Sequence, residues 1–519
     1  LRKNLVICFI LISLLDLGLR LGSVTFDSLY LDESYQTLFD ATGEPVPQFM
    51  ELAGEPYLFK FADKPRSTGE VLHNLRSVDA LGPPLYFVAL NKWMSVFGTS
   101  DLSVRGFSAL LSFASLVALF LLSAWLFGPA VAIYACLIQA VSPFELMYGQ
   151  EARMYCLEIL LCTVSSLSLM ALLFKRPVRG RLAVLIGTYS ISTWAILNTH
   201  YTAVFLVLFQ GLFGVTFSLK HKDFRQFALL SAAWLLTLVM WIPWFDLFRQ
   251  ASAVRNDTGS FYVARKPTWY WPFWGLFLRI PINWVCFMCG NRVTAFAIPV
   301  YATAVAFLAA GAKESFHLLQ GKQGEEHIKA RVIFLLGWAL FPAIALWFMD
   351  VIESRKVIEM ARYLIFTAPA IFLVCGLGLA RLSEDRKLVA ALVSIHVLFA
   401  LVNITNYHII HQRRPWREMA AKVEEVVKPE DVLMVSHYFN IVCLDRYLSR
   451  PVRQVGLSPQ LGAERINAKI EGISPKLNQF WLLTAEDGEN IRDIMPQTFA
   501  VVQKIDLPHE LHLRLYRRR

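Results

Sequence analysis

The sequence predicts a mainly α-helical, polytopic membrane protein with about 11 transmembrane helices, at roughly 20 residues per crossing, and a small C-terminal α/β domain. Three observations predict it. The chain of 519 residues is 56% hydrophobic and 13% aromatic, with a mean hydropathy of +0.46, which soluble domains seldom reach. Its apolar residues gather into long runs, and its Lys and Arg gather in the short loops between alternate runs. After residue 406 the composition becomes that of an ordinary soluble domain.

The runs occupy 5–21, 107–127, 130–144, 155–174, 182–197, 201–219, 227–244, 293–310, 332–348, 363–379 and 388–402. The first follows Arg2 and Lys3, is not followed by a small-residue cleavage site, and carries Asp16 and Arg20 near its end. It reads as a retained helix entered from the cytoplasm, with the two charges four residues apart as a paired or snorkelling couple.

Charge sets the orientation. Lys175, Arg176, Arg179 and Arg181 share one short loop, and Lys220, Lys222 and Arg225 another. Lys313, Lys322, Lys329 and Arg331 share a third, and Arg381, Arg386 and Lys387 a fourth. All four alternate as cytoplasmic loops do, so the N-terminus is expected inside and the C-terminus outside. The net charge of +10 thus points to the membrane and not to nucleic acid. Five cysteines (Cys8, Cys136, Cys156, Cys162 and Cys375) sit in apolar runs as small hydrophobes. Cys286 and Cys289 form a Cys-x-x-Cys with neither a second pair nor nearby histidines, a weak basis for zinc or redox chemistry.

Domain division follows: 1–406 as the membrane unit, with 22–105 as its first outer loop and interfacial helices within it, and 407–519 as the outer α/β domain. A second outer segment, 245–292, holds Trp269, Tyr270, Trp271, Phe273 and Trp274, which fit a helix at headgroup level or packing against neighbouring helices. In the tail, 417–427 reads as an amphipathic helix and 431–436, 480–484 and 501–505 as strands, with no catalytic signature.

The chemistry falls on the outer face. Asp32 and Glu33 lie directly after the first span. Glycosyl transfer needs a carboxylate to take the proton of the attacking hydroxyl. Two adjacent acids cannot point the same way, so one can serve as base while the other binds acceptor or metal. An acidic helix start facing its dipole fits the same pair. Glu151, Arg153 and Tyr155 follow Ser142-Pro143-Phe144, which breaks the third run. A guanidinium there can hold a phosphate through paired, charge-assisted bonds, or pair within its own loop. His200 and Tyr201 close the fifth run, where a metal ligand, a phosphate donor or a structural histidine all fit. Arg355, Lys356, Arg362 and Tyr363 form a basic cluster that headgroup anchoring also explains. Pro83-Pro84-Leu85-Tyr86 opens a short amphipathic helix, and turn geometry alone also explains it. No Gly-rich phosphate loop or His-Glu-x-x-His motif is present.

In order, these motifs resemble the GT-C integral-membrane glycosyltransferases, in particular bacterial relatives of protein O-mannosyltransferases and aminoarabinose transferases (glycosyltransferase family 39-like). Leu31-Asp32-Glu33-Ser34-Tyr35 is similar to the family's Asp-Glu motif. Pro83 to Tyr86, Phe97-Gly98 and Arg105 to Leu110 resemble its Pro-Pro-Leu-Tyr stretch, and Ser142 to Tyr155 its Gln-Glu-Ala-Arg-Met-Tyr loop. Thr199-His200-Tyr201, Arg362-Tyr363-Leu364 and Trp416-Arg417 resemble weaker positions. The resemblance implies a GT-C helix arrangement and an inverting transferase in the bacterial inner (cytoplasmic) membrane, its site facing the periplasm. The donor would be an undecaprenyl-phosphate-type sugar carrier and the acceptor a lipid, glycan or protein.

It implies Asp32 as base with Glu33 in support, Glu151 facing sugar, acceptor or metal, and Arg153 on the carrier phosphate. A divalent metal (Mg, Mn or Ca) is compatible, with Glu33, Glu151 and His200 as candidate ligands, and no nucleotide site is required. Relatives often carry His or Lys before the Pro-Pro pair, where this chain has Gly82; either His73, His200 or Arg362 supplies that contact or the contact is absent. The rival readings are a flippase of lipid-linked sugars, whose buried charges would line a path across the membrane, a polymerase or ligase of surface glycans, and a non-catalytic scaffold.

Overall fold

The computed structural model describes residues 2–52, 54–77, 82–174, 179–247, 249–250, 271–290, 297–321, 326–383, 385–409, 413–457, 472–473, 478–485 and 499–519. The chain divides into two compact units. One comprises Leu1–Val24, Leu75–Ala89 and Arg105–Asn406; the other Thr25–Asn74, Leu90–Val104 and Tyr407–Arg519.

The first unit is helical. Among the described residues, ten helices are long and apolar enough to cross a membrane, and a bent pair, Pro129–Ala140 with Pro143–Gly149, makes an eleventh candidate. The bend of 65° has a local cause. Ser142 caps the second piece, its Oγ accepting from the Glu145 amide at 3.0 Å and donating to the Phe287 carbonyl at 2.6 Å, while Pro143 takes the first helical position. The run expected at 130–144 is therefore two helices.

One crossing is displaced from its expected place. Trp271–Cys289, expected within an outer segment, passes the length and hydropathy test, because the apolar stretch from Ile280 continues the aromatic cluster. Helix Ile298–Gln320 replaces the run at 293–310 and is not among the ten; Lys313, Glu314 and His317 dilute its second half. The aromatic cluster fits both of its readings. Trp271 Nε1 donates to Glu359 Oε1 at 3.1 Å, whereas Phe273 and Trp274 are exposed. Trp269 and Tyr270 lie outside the described residues.

Ala361–Leu382 is the most deeply buried of these candidate spans. It approaches its neighbours through glycine, as membrane helices without a hydrophobic driving force between them require. A Cβ on Gly376 would lie 2.7 Å from the Val131 carbonyl oxygen. Asp16 and Arg20 are paired and fully buried, and Arg20 Nε donates to Ser112 Oγ at 2.6 Å. At the other end of the spans, Lys220 Nζ bonds Glu326 at 3.0 Å, and the Arg331 guanidinium lies 5.5 Å from the rings of both Trp125 and Phe174. Lys175, Arg176 and Lys322 lie outside the described residues.

The second unit is a six-stranded mixed sheet with helices. Its strands are β1 (Pro56–Tyr57), β2 (Val432–Ser436), β3 (Val452–Leu457), β4 (Gln479–Ala485), β5 (Phe499–Leu507) and β6 (Leu511–Arg518), in the order β1-β3-β2-β4-β6-β5. β2 pairs parallel with β3 and β4, and the other pairings are antiparallel. β2 is buried on both faces, as a parallel strand covered on each side must be. Leu433 and Val435 join Trp481, Leu483, Phe39 and Phe49 in one core, and Val432 and Met434 join Phe480 and Leu482 in another. Helix Trp416–Val426 buries Trp416, Met419, Ala420 and Val423, an i, i+3, i+4, i+7 stripe.

The strands expected at 431–436, 480–484 and 501–505 are present. β3 and β6 escaped the sequence reading, although Leu511, Leu513 and Leu515 alternate with His512 and Arg514 in β6. The three chain segments of this unit are clamped at Asp101. Its carboxylate accepts from Arg446 Nε at 2.6 Å, Arg417 Nη2 at 2.8 Å and the Tyr447 hydroxyl at 2.7 Å. The Tyr447 oxygen in turn accepts from the Leu29 amide at 2.8 Å.

Candidate active site

Asp32 and Glu33 open a π-helical turn, Asp32–Thr37, that continues into helix Leu38–Thr42. The wider turn gives the two adjacent carboxylates different surroundings. Glu33 is fully buried, accepting from Arg413 Nη1 at 2.8 Å and from the Tyr30 amide at 3.2 Å. Asp32 is partly exposed, and its Oδ2 accepts from the Tyr30 hydroxyl at 3.2 Å. Arg413 lies over the Tyr30 ring at 4.8 Å. One acid is thus neutralised inside the unit, and the other is partly exposed. Arg413 carried no sequence signal, since 380 residues separate it from Glu33. His73, also in this unit, is exposed on helix Thr68–Ser77.

In the membrane unit, the loop after Pro143–Gly149 is held to the end of the first span. Gln150 Nε2 donates to the Leu19 and Arg20 carbonyls at 3.1 and 3.0 Å, and to Ser23 Oγ at 2.7 Å. It thereby satisfies terminal carbonyls of that helix. Glu151 is buried and Arg153 half-buried, with the Arg153 amide bonded to the Glu151 carbonyl at 2.7 Å.

His200 lies between two spans, and its ring centroid is 6.0 Å from that of Tyr155 and 5.6 Å from that of Tyr363. The Arg362 guanidinium lies 5.4 Å from the Tyr363 ring. Burial, then the positive fields of Arg153 and Arg362, push the His200 pKa down to about 3, so the imidazole is neutral. Its Nδ1 lies 2.7 Å from Thr202 Oγ1, whose own proton is given to the Tyr363 carbonyl at 3.0 Å. Nδ1 must therefore carry the hydrogen, which leaves Nε2 as an acceptor. Glu158, fully buried, has Oε1 3.6 Å from the same Nδ1.

The unit thus brings Arg153, Tyr155, His200, Arg362 and Tyr363 together. Tyr201 turns away to pack with Trp244 against Leu247. Arg355 and Lys356 are taken up by Glu353 at 3.1 Å and Glu359 at 3.8 Å. At Gly82 there is no room for the basic residue of the relatives: a Cβ would lie 2.8 Å from the Phe87 ring. The Pro-Pro helix that follows docks instead through the Leu85 amide, which donates to the Asn198 carbonyl at 2.9 Å.

Among the described residues, no group of three or more His, Cys, Asp or Glu side chains is placed to hold a metal ion. Glu33 already balances Arg413. Cys286 and Cys289 are buried thiols of one helix, and all eight cysteines are unbridged.

Among the described residues, the buried acids of the spans gather at one end of the bundle, whereas His396 is buried at mid-span in Arg386–Ile409, its Nδ1 2.9 Å from Thr303 Oγ1. Asp16 and Arg20 lie near the end of the first span, Glu158 in the first turn of Tyr155–Phe174 and Asp350 in the last turn of Glu326–Ile352. The Gln150, Glu158–His200 and Thr202–Tyr363 contacts place these span ends together.

No family model matches the chain, and no curated protein matches it by sequence. Solved structures do. The crystal structure of ArnT from Cupriavidus metallidurans in the apo state superposes with a TM-score of 0.59, covering 99% of this chain and 98% of that one at 12% identity. The same protein bound to undecaprenyl phosphate gives 0.58, with equal coverage and identity. The apo Archaeoglobus fulgidus oligosaccharyltransferase gives 0.52 over 93% of this chain and 70% of its own, at 13% identity. The protein is a multi-pass membrane protein with the fold of the GT-C glycosyltransferases. Within that fold it is similar to ArnT over nearly its whole length.

Proposed function

We propose that the protein is an inverting glycosyltransferase that moves a sugar from a polyprenyl-phosphate carrier to an acceptor hydroxyl on the extracytoplasmic face of the bacterial inner membrane. The observation that carries this reading is the gathering of Arg153 and Arg362 about a neutral His200 at one end of the spans. A leaving phosphate gains negative charge in the transition state, and fixed guanidinium groups stabilise it there more than in the ground state. ArnT in complex with undecaprenyl phosphate gives a ligand of this kind to a protein of the same fold.

Asp32 takes the proton from the acceptor hydroxyl as its oxygen attacks the anomeric carbon. The bond to the phosphate oxygen breaks on the opposite side with inversion, and its electron pair leaves with the phosphate. Glu33, neutralised by Arg413, positions Asp32 and is not the base. Arg153 and Arg362 hold the phosphate; Tyr155 and Tyr363 wall the His200 ring. His200, with Nε2 as acceptor, takes a hydrogen bond from a sugar hydroxyl. Glu151 faces sugar or acceptor, and Tyr201 is left outside the binding set.

A flippase would spread its buried charges along a path across the bilayer. The buried acids named above lie instead at one end of the spans, which supports the transferase. Purified protein given radiolabelled undecaprenyl-phosphate sugars and cell-envelope acceptors should transfer label, and Arg153→Ala should slow that transfer. Carrier movement across vesicles with no transfer from any donor would establish the flippase instead.

A further inference from the structure

We propose that a cavity of about 630 Å³ in the mixed α/β unit is a binding site for a neutral saccharide, which it holds as the acceptor of the transfer proposed above. Its volume lies within the range of small-molecule sites, about 300–1,000 Å³. Its chemistry narrows the ligand further.

Three phenylalanines line it. Phe59 and Phe61 meet edge to face at 4.9 Å and 89°. The Phe97 ring is 57% exposed and is held in place by Trp93, whose ring centroid lies 4.1 Å away. Trp93 is itself fixed by donating to the Ser103 carbonyl at 2.9 Å. Rigid rings at a polar opening suit a ligand with an apolar face and a hydroxyl-bearing edge, which describes a pyranose.

The cations of the cavity do not select an anion. Lys60 spends its three hydrogens on the carbonyls of Asp445, Arg446 and Leu448 at 2.6, 2.9 and 2.7 Å. Arg446 gives Nε to Asp101 and Nη2 to the Thr99 carbonyl. Lys60 has no hydrogen left for an anion, and the charge of Arg446 is balanced by Asp101 at 2.6 Å. What the wall offers instead is the exposed Asp63 carboxylate and the Ser100 hydroxyl. Ser100 Oγ accepts from the Ser103 amide at 3.2 Å, which leaves its own proton to donate. A carboxylate acceptor beside a hydroxyl donor matches the paired hydroxyls of a sugar.

The cavity also adjoins the acidic turn. Val442 lines it, and helix Asn440–Asp445, which carries Val442, packs on the turn of Asp32 and Glu33. A saccharide chain anchored here lies against the helix that packs on that turn.

The acceptor role rests on the transferase reading; the binding does not. The test is isothermal titration of the full chain in nanodiscs with cellotetraose, chitotetraose and maltotetraose, and with a sulfated tetrasaccharide as the anionic probe. At least one neutral probe should bind saturably, more tightly than the sulfated one. Phe97→Ala and Asp63→Ala should each weaken it by roughly tenfold. Both side chains are exposed, and unchanged elution and thermal midpoint will establish that the variants are folded. Absence of saturable binding by all three neutral probes, preference for the sulfated probe, or binding indifferent to both variants overturns the site. Transfer whose acceptor KM is unchanged in both variants refutes the acceptor role while the transferase reading stands. Binding without transfer from any polyprenyl-phosphate donor refutes the transferase reading and leaves the saccharide site.

Discussion

Arg413 and Glu33 form a buried ion pair at 2.8 Å across 380 residues of chain. The pair divides the labour of two adjacent acids. Glu33 balances a buried guanidinium, and Asp32 keeps a partly exposed carboxylate. The division separates a stability phenotype from an activity phenotype at neighbouring positions.

Glu33→Ala should destabilise the protein by about 1–3 kcal/mol, because it removes a charged hydrogen-bond partner from the largely buried Arg413. Asp32→Asn should leave the thermal midpoint nearly unchanged and lower transfer by about 100- to 10,000-fold, the usual worth of a general base. Thermal unfolding in detergent and a single-turnover transfer assay on both variants check this. Normal transfer by Asp32→Asn would move the base to another residue.

Arg153 and Arg362 should act on the donor and not on the acceptor. Removing either leaves a phosphate without a charge-assisted hydrogen bond worth about 1.5–3 kcal/mol, so Arg153→Ala and Arg362→Ala should each lose roughly 10- to 100-fold in kcat/KM for the donor. Arg153→Lys should recover part of that, since an ammonium keeps the charge without the planar fork. Equal losses for donor and acceptor would argue against phosphate contact.

Much of this was legible in the sequence, and what was not has physical causes. Span length and charge alternation are local and additive, so the helix count follows from run length. The Ser142-Pro143 break is a local signal too, but its angle depends on the Phe287 carbonyl, far along the chain. Trp271–Cys289 does not stand out as a crossing because its Trp and Pro residues, Arg279 and Asn283 lower its apparent hydropathy. The acidic pair and the Arg153 loop stood out as motifs. Arg413, the Asp101 clamp and the proton on His200 Nδ1 did not, since each is defined by a partner distant in sequence or by a hydrogen-bond chain. The two-residue strand β1 is visible only through its pairing with β3.

Gly82 supplies a prediction against simple grafting. Installing the relatives' basic residue as Gly82→Lys should not improve donor binding, because its Cβ meets the Phe87 ring at 2.8 Å and a second neighbour, Leu75, at 3.4 Å. Overpacking of this kind costs about 1–3 kcal/mol. A lowered thermal midpoint with unchanged or weaker donor KM is expected; a tighter donor KM at full stability would show that the ring yields and that the missing contact matters.

Asp445 sets the pH response of the α/β unit. Burial raises its pKa from 3.8 to about 7, against the opposing bonds from the Phe59 amide at 2.7 Å and Gln454 Nε2 at 2.6 Å and the charge of Lys60. The folded chain therefore holds this proton where the unfolded chain has lost it. The stability it contributes is full below the unfolded pKa and is lost as pH rises through the folded one. Wild type should lose thermal stability from about pH 4 to pH 7 in excess of an Asp445→Asn variant, which keeps the neutral shape and cannot ionise. Above that window the variant should be the more stable of the two. Midpoints that run parallel across the range would show that the carboxyl is ionised in the folded state, with Lys60 compensating its burial.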